Sequence, residues 1–504
     1  MTTRKDIDQV LEEACDSFRG KPSSYYYKNY ILFMLFIKYL SDIGKEDIQC
    51  KNNVCLSEQE SNHVYFTIDN QPVFDYLYNN RNDMEIGNRI NMVLSDVGKR
   101  NSGMVGHVLQ GISFNDQGDL GETEEKNEIL RHLLEKFNCL DLRPSQLEFT
   151  DIVGEAFEYM VAMLASNDRK RGAESFTPKQ VCELLAFLVQ PKEDDRIYDP
   201  TCGSGGLLLQ VYKKVPGGKA SIYGQEINAE TWAICMMNMF LHGINEAQIW
   251  KGDTLSNPKN IQNDKLMKFQ VVVANLPFSL NQWDRGFLYK VDVDNQIKKK
   301  MSAELDPYHR FDLGVPPASK GDYAFILHML ASLDEKNGRM AVVLPHGVLF
   351  RGASEGNIRR QIVEMNLLDT VIGLPANLFY GTSIPVCVLI FKKNRTDRDI
   401  LFIDASGNEN IEKGKNHNIL QDSAITRIVR TYMARQNENK YSYVASFDEI
   451  KGNDFNLSIA RYVKNFEDDE KVNIIEVRNA ISNIEIELDK VQSQIRKYLE
   501  ELGL

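Results

Sequence analysis

Between Asp151 and about residue 440, short β-branched or aliphatic runs alternate with stretches of helical periodicity, and this alternation limits the fold more than any other feature of the chain. The runs are RIYDP, SIYGQEI, QIWKGD, FQVVVAN, RMAVVLP, LLDTVIGLP and VCVLIFKK. Helices are predicted between most of them, over Pro178 to Val189, Leu207 to Lys214, Ala229 to Leu241, Tyr323 to Leu333 and Glu355 to Met365. Strands alternating with helices form parallel sheets covered on both faces, so an α/β domain with one sheet of about seven strands is expected over 151–440. Residues 281–320 break the rhythm. They carry IKKK and GVPPASKG with little periodicity and read as a long loop inserted after Phe278, the kind of loop that often serves function.

The flanking regions follow other periods. Residues 1–150 place apolar side chains at helical spacing, as in DIDQVLEEACDSF and IGNRINMVLSDVG, which predicts an N-terminal all-helical domain. Within it, SSYYYKNYILFMLFIKYLSD reads as a core helix, because apolar residues this dense are usually buried. The segment 441–504 ends differently. After Lys471, the residues Ile474, Val477, Ile481, Ile484, Leu488, Val491, Ile495, Tyr498 and Leu502 recur at alternating spacings of three and four. A helix of roughly 43 Å would show them as one apolar seam, which predicts a coiled-coil-like, partner-binding helix at the C-terminal end.

Lys plus Arg number 59 against 71 Asp plus Glu, a net charge of -12, so the bulk surface repels polyanions. A nucleic acid partner must then meet a local basic face or be held by another subunit. The candidates are Arg169 to Arg171 in DRKRG and Lys298 to Lys300 in IKKK, although runs this short are more often solvated faces. The eight cysteines are scattered, without a second close pair to join Cys50 and Cys55 at zinc-ligand spacing, so reduced thiols and no metal site are expected. The start MTTRKDIDQVLEEA has no apolar signal core, and the densest apolar run, YILFMLFIKYL, is about half as long as a membrane helix. A cytoplasmic protein with no membrane association is expected.

RIYDPTCGSGGLLLQVY places Asp199 at a strand end, then Thr201, Gly203, Ser204, Gly205 and Gly206, then a helix. Such a turn lets backbone approach a nucleotide-like ligand closely. It lacks the Gly-Lys-Ser/Thr ending of a P-loop, and Leu208 stands where a dinucleotide fingerprint has its third glycine. Glu226 ends the next strand, where a carboxylate can accept both hydroxyls of a ribose, and Asp253 in KGDTL follows the third, placed to read an adenine amino group. Acids at three successive strand ends favour a cationic or neutral ligand, and they fit S-adenosylmethionine: Asp199 near the methionine moiety, Glu226 on the ribose, Asp253 on the base. Singly, such an acid more often caps the next helix. Upstream, Thr177 and Pro178 in GAESFTPKQ start a helix whose N–H groups suit a carboxylate.

The fourth predicted strand ends in Asn275, Leu276, Pro277 and Phe278. An exocyclic amine conjugated to a purine is a poor nucleophile until it is drawn toward tetrahedral geometry, which two acceptors on its two N–H bonds achieve without a general base. The Asn275 amide oxygen and the Leu276 carbonyl are those acceptors, Pro277 holds Leu276 extended, and Phe278 offers a face for an extruded base. In isolation, the same four residues read better as a proline turn with a core phenylalanine.

DPTCGSGG, GQEIN, GDTL, NLPF and GRMAVVLPHGVLF, in this order and preceded by ESFTPK, resemble the motif series of amino-group DNA methyltransferases. With the helical N-terminal region and the coiled tail, the chain is similar to the modification subunit (HsdM) of type I restriction-modification systems. The resemblance implies a Rossmann-like S-adenosylmethionine-dependent sheet and methylation of N6 of adenine in double-stranded DNA by base flipping. It also implies assembly of two such subunits with one specificity subunit, association with a restriction subunit, and a prokaryotic cytoplasm. On that pattern Glu174, Ser175, Phe176, Thr177, Pro178 and Lys179, with Ser204 to Gly206 and Glu226, contact the cofactor, and Asn275 to Phe278 hold the base.

One position departs from the pattern. The family usually has proline where Leu276 stands, so the backbone of Asn275 is expected to be freer and somewhat less preorganised. Two other readings compete: a protein glutamine N5-methyltransferase, whose planar amide fits the same acceptors, and a scaffold that kept the fold without the chemistry. His346 in LPHGVLF is expected to be structural, since adenine methylation needs no strong base.

Overall fold

The computed structural model describes every residue except 17–23, 54–65, 70, 102, 112, 115–122, 168–175, 279, 286, 288–302, 304–305, 415–416, 464–483, 485–487, 489, 493 and 496–504. Its centre is one nine-stranded sheet. In chain order the strands are β1 (Arg196–Asp199), β2 (Ser221–Glu226), β3 (Gln248–Lys251), β4 (Val271–Asn275), β5 (Arg339–Pro345), β6 (Leu368–Gly373), β7 (Val386–Lys392), β8 (Ile400–Asp404) and β9 (Ser442–Ala445). Their spatial order is β9-β8-β6-β7-β5-β4-β1-β2-β3. Neighbours from β3 across to β5 are parallel, and β7 inserts antiparallel between β5 and β6.

All seven predicted runs are strands of this sheet, and two short ones, ILFID and SYVA, extend its edge. The second corrects a boundary. The expected division between 440 and 441 falls inside the sheet domain, because β9 pairs with β8 and the chain up to Val463 packs into the same core, with Tyr462 stacked on Phe402 at 4.0 Å.

Strand β4 is buried along its whole length, which is why its sequence is a run of valines rather than an alternation. Alternation shows instead in the partners. Val271 and Val273 belong to one hydrophobic core, Val272 and Ala274 to the other. The first core lies under helices Lys179–Val189, Gly206–Lys213 and Ala229–Leu241, and the second under Asp322–Ala331 and Ala353–Glu364.

Among the described residues the N-terminal region is helical apart from a two-residue pairing, Thr67–Ile68 with Gln71–Pro72, and a single bridge between Thr2 and Leu147. Its helices Arg4–Asp16, Ser24–Asn53, Ile86–Arg100 and Thr123–Phe137, with the longer-range helix Ile152–Asn167, share the first core with the sheet. Phe36 meets Phe240 edge-on at 5.7 Å, and Asn29 donates to Glu230 at 2.8 Å. Helix Ile152–Asn167 thus carries helical packing past the expected division at 150. Among the described residues no helix is long and apolar enough to cross a membrane.

The two added strands are joined to the sheet by charge as well as backbone. Asp369 on β6 is 3% exposed and meets Lys392 at 3.2 Å, Arg395 at 3.2 Å and Arg435 at 3.1 Å, binding the segments that lead into and out of β8. Replacing Asp369 with Ala leaves Arg395 buried without its carboxylate, which costs roughly 3–5 kcal/mol. The D369A chain is expected to unfold at a clearly lower temperature in a calorimetric scan, and an unchanged midpoint would refute the role given to this hub.

Candidate active site

After β1 the chain turns through Gly203 (φ 54°) and Gly205 (φ 83°), left-handed conformations that side chains rarely adopt. At Gly205 a Cβ would also come within 2.8 Å of the Cys235 sulfur. At Gly206 nothing lies within 4 Å of the Cβ direction, so that glycine faces open space. The turn is fastened to its neighbours: Cys202 N–H donates to the Gln225 carbonyl at 3.1 Å, and the Asn238 amide donates to the Ser204 carbonyl at 3.0 Å.

The three acids differ in what they do. Asp199 is 2% exposed, and one carboxylate oxygen accepts the Thr201 N–H at 2.8 Å. Burial first, then the nearby charge of Glu226, pushes its pKa up to about 8 against the opposing Thr201 N–H. No Lys or Arg among the described residues pairs with it. Glu226 accepts N–H groups from Gly203 at 3.1 Å and Asn228 at 2.7 Å, which aims the carboxylate over the turn, and burial raises its pKa. Asp253 caps its own turn, accepting from Leu255 N–H at 3.0 Å and the Ser256 hydroxyl at 2.6 Å.

Asn275 ends β4 in register with Val343 of β5, and its carbonyl accepts the Thr201 hydroxyl at 3.3 Å. These contacts hold the Asn275 backbone at the end of the strand. Leu276 is 2% exposed and fills the second core. The Asn275 side chain is buried, and its Oδ1 has no hydrogen-bond partner among the described residues. Buried amide oxygens are normally paired, so this acceptor requires an explanation. Phe278 is half-buried and meets Phe379 edge-on at 5.6 Å.

Pro178 caps helix Lys179–Val189, and Phe176, Thr177 and Lys179 line one cavity of about 330 Å³ with Gly206. The upstream segment and the glycine turn therefore meet. Glu174, Ser175, Arg169 to Arg171 and Lys298 to Lys300 lie outside the described residues. His346 donates from Nε2 to the Val386 carbonyl at 3.0 Å, a structural contact between β5 and β7.

Several residues escaped the sequence reading. Gln225 is fully buried, and its amide donates to the Gly252 and Asn257 carbonyls at 3.2 and 3.0 Å while accepting Lys259 N–H at 3.0 Å, so one side chain shapes the loop that carries Asp253. Ile227, next to Glu226, is 69% exposed. Phe379 faces Phe278, and Tyr380 packs on Phe176 at 5.6 Å, so LPANLFYG touches both the expected base grip and the cofactor segment. Its only sequence signal is an aromatic pair in a turn-rich connection between two apolar strands.

The arrangement fits S-adenosylmethionine: an uncompensated buried carboxyl for a cationic ligand, a second acid aimed by backbone N–H groups, and a turn open at Gly206. Residues 148–471 match the family N-6 DNA Methylase, and residues 7–137 match the HsdM N-terminal domain. The type I restriction enzyme MpnII methylase subunit of Mycoplasma pneumoniae is 31% identical, with 99% of this chain and 96% of that one covered. The MjaVIII methylase subunit of Methanocaldococcus jannaschii is 30% identical over 98% of this chain and 84% of its own length. Among solved structures, the type I restriction-modification methyltransferase subunit from Streptococcus thermophilus superposes with a TM-score of 0.75 at 31% identity, covering 92% of this chain and all of that one.

The raised pKa of Asp199 has a testable consequence. Its folded-state value lies above that of the unfolded chain, so the linked stability is fully present below about pH 4 and is lost as pH rises through about 8. Asp199→Asn keeps the oxygen that accepts Thr201 N–H and removes this loss. In the unliganded chain its stability gain over the parent is expected to grow from pH 5 to pH 8 and then level off, while cofactor affinity falls about ten-fold or more for want of the anion. Thermal scans across pH and calorimetric titration read both; a gain independent of pH would contradict the assignment.

Proposed function

The chain belongs to the N-6 DNA Methylase family and is an S-adenosylmethionine-dependent, adenine-specific DNA methyltransferase of the type I restriction-modification class, and on that basis we propose that the turn after β1 holds the cofactor while Asn275 to Phe278 hold an extruded adenine. Membership of a DNA methylase family sets aside the glutamine-methylating reading. The observation that carries the site assignment is the unpartnered Asn275 oxygen, held at the end of a buried strand one hydrogen bond from the cofactor turn.

S-adenosylmethionine, when bound, supplies an electrophilic methyl group on a sulfonium centre. The chain does the rest. Asn275 Oδ1 and the Leu276 carbonyl accept the two N–H bonds of the target amine, Pro277 keeps that carbonyl extended, and Phe278, braced by Phe379, stacks on the ring. Because both acceptors are fixed before the base arrives, no reorganisation is needed at the moment of transfer. Asp199 and Glu226 would hold the amino-acid and ribose ends of the cofactor, Gly203 to Gly206 would let the backbone approach, and Asp253 would hold the adenine. Phe176 to Lys179, preceded by Glu174 and Ser175, close the methionine side.

The wider reading is assembly of two such chains with one specificity subunit and with a restriction subunit, on double-stranded DNA, in a prokaryotic cytoplasm. The division of labour is a helical region from residue 1 to about 150, a catalytic region beyond it, and a partner-binding tail. The described positions of the tail seam, Ile484, Leu488, Val491 and Ile495, are each at least half exposed, which supports a seam that finds its cover on another chain.

Asn275→Ala is expected to lower methylation by about 10²–10³-fold with little change in cofactor affinity, because it removes an acceptor used in transfer and not in binding. Mass-spectrometric quantification of N6-methyladenine together with calorimetric titration tests both halves, and parental activity would end the proposal. Removal of the chain from Lys471 onward is expected to leave cofactor affinity intact and abolish co-purification with the specificity subunit; retained assembly would place the interface elsewhere.

A further inference from the structure

The part of the long insertion that returns to the sheet holds a buried ion pair which the chemistry above does not use. Arg310 is 3% and Asp306 2% exposed, with Nε and Nη2 of the guanidinium on the carboxylate at 2.7 to 3.1 Å. Phe287 and Phe311 flank it, their ring centres 5.5 and 5.3 Å from Cζ. A buried pair of this kind is weak ground for stability, since well-packed apolar residues of the same volume often do as well.

The remaining nitrogen explains the position. Arg310 Nη1 donates to the Thr254 carbonyl at 3.4 Å and faces His328 Nδ1 at 3.3 Å. An arginine only donates, so Nδ1 accepts and the imidazole carries its proton on Nε2, which donates to the Tyr198 oxygen at 3.0 Å. Thr254 adjoins Asp253, and its hydroxyl donates to the Pro200 carbonyl at 2.5 Å, inside the cofactor turn. The insertion is itself pinned beside the base grip: Gly321 N–H donates to the Leu280 carbonyl at 2.9 Å and Gln282 N–H to the Ala318 carbonyl at 2.7 Å. Hydrogen bonds thus run from Arg310 to the Thr254 carbonyl and from the Thr254 hydroxyl on to Pro200, while Phe311, next to Arg310, packs on Trp283 of the segment after Phe278 with ring centres 5.2 Å apart.

From this geometry we infer that Arg310 is a positioning residue: it fixes the adenosine-side turn from the segment that follows the base grip, so that cofactor affinity depends on that segment. The inference rests on the reading of the Asp253 turn as part of the cofactor site. Gln225 shapes the loop through the Gly252 and Asn257 carbonyls, and Arg310 holds its Thr254 carbonyl.

The test uses the full-length chain in the form in which the parent methylates DNA. Arg310→Lys keeps a cation for Asp306 and loses the planar fork that also reaches Thr254 and His328. The pair D306L/R310M replaces the ions with apolar side chains of similar size, so that no buried charge is left unpaired. Both are expected to weaken S-adenosylmethionine binding about ten-fold, read as Kd by calorimetry and as KM, with kcat within about two-fold of the parent. Parental cofactor affinity in a folded D306L/R310M chain would overturn the inference. A parent that binds no S-adenosylmethionine would instead overturn the cofactor site itself. A loss that appears in R310K alone, together with a lowered melting temperature, would assign the pair to stability and likewise refute a positioning role.

Discussion

A polar side chain at the end of a strand buried on both faces is the constraint on which this structure depends. β4 lies at the centre of the sheet, and burial of its four apolar residues in two cores fixes its end with little freedom. An amide placed there cannot relax toward solvent, and leaving its oxygen unpaired costs the full desolvation of an acceptor, about 1–3 kcal/mol. On the proposed reading, the fold carries that cost where the target amine is gripped. A surface asparagine would be solvated and mobile, and its contribution to reshaping the nucleophile would be spent on displacing water and ordering the side chain.

The same logic extends to the acid at the end of β1. Asp199 and Asn275 lie at the ends of adjacent parallel strands, joined through Thr201, whose N–H serves the acid and whose hydroxyl serves the Asn275 carbonyl. One threonine therefore ties the cofactor end of the site to the base end. Asp199 is poised by burial rather than by a neighbouring cation, so a positively charged ligand restores the partner that the fold withholds. Ligand binding and ionisation of this group are linked, whereas Glu226, served by backbone N–H groups, is oriented before any ligand arrives.

What was legible in the sequence follows from how local each signal is. The seven core strands, their order of acids and glycines, and the Asn-Leu-Pro-Phe ending are written in contiguous residues whose periods and turn chemistry act over a few positions. The edge strands β8 and β9 were missed because ILFID and SYVA are too short to show a period, and because their attachment depends on a charge hub whose members, Asp369, Lys392, Arg395 and Arg435, are scattered along the chain. Gln225, Phe379, Tyr380 and Arg310 were invisible for the same reason: each acts through contacts with residues distant in sequence. The setting of Leu276 is likewise non-local: strand pairing and the Thr201 bond hold the residue before it.

The helical N-terminal region belongs to this argument and is more than an appendage. Its helices and the three that cover β1, β2 and β4 bury side chains in one continuous core, and helix Ala229–Leu241, which packs behind the glycine turn through Cys235 and Met239, carries Phe240 against Phe36. Displacement of the helical region would therefore be felt at the turn, because a close-packed core transmits small shifts rather than absorbing them. On the proposed assembly, an acidic chain that meets DNA through partners would gain from such a connection: whatever a partner does to the helical region would be passed by packing, without any charge of its own, to the glycine turn.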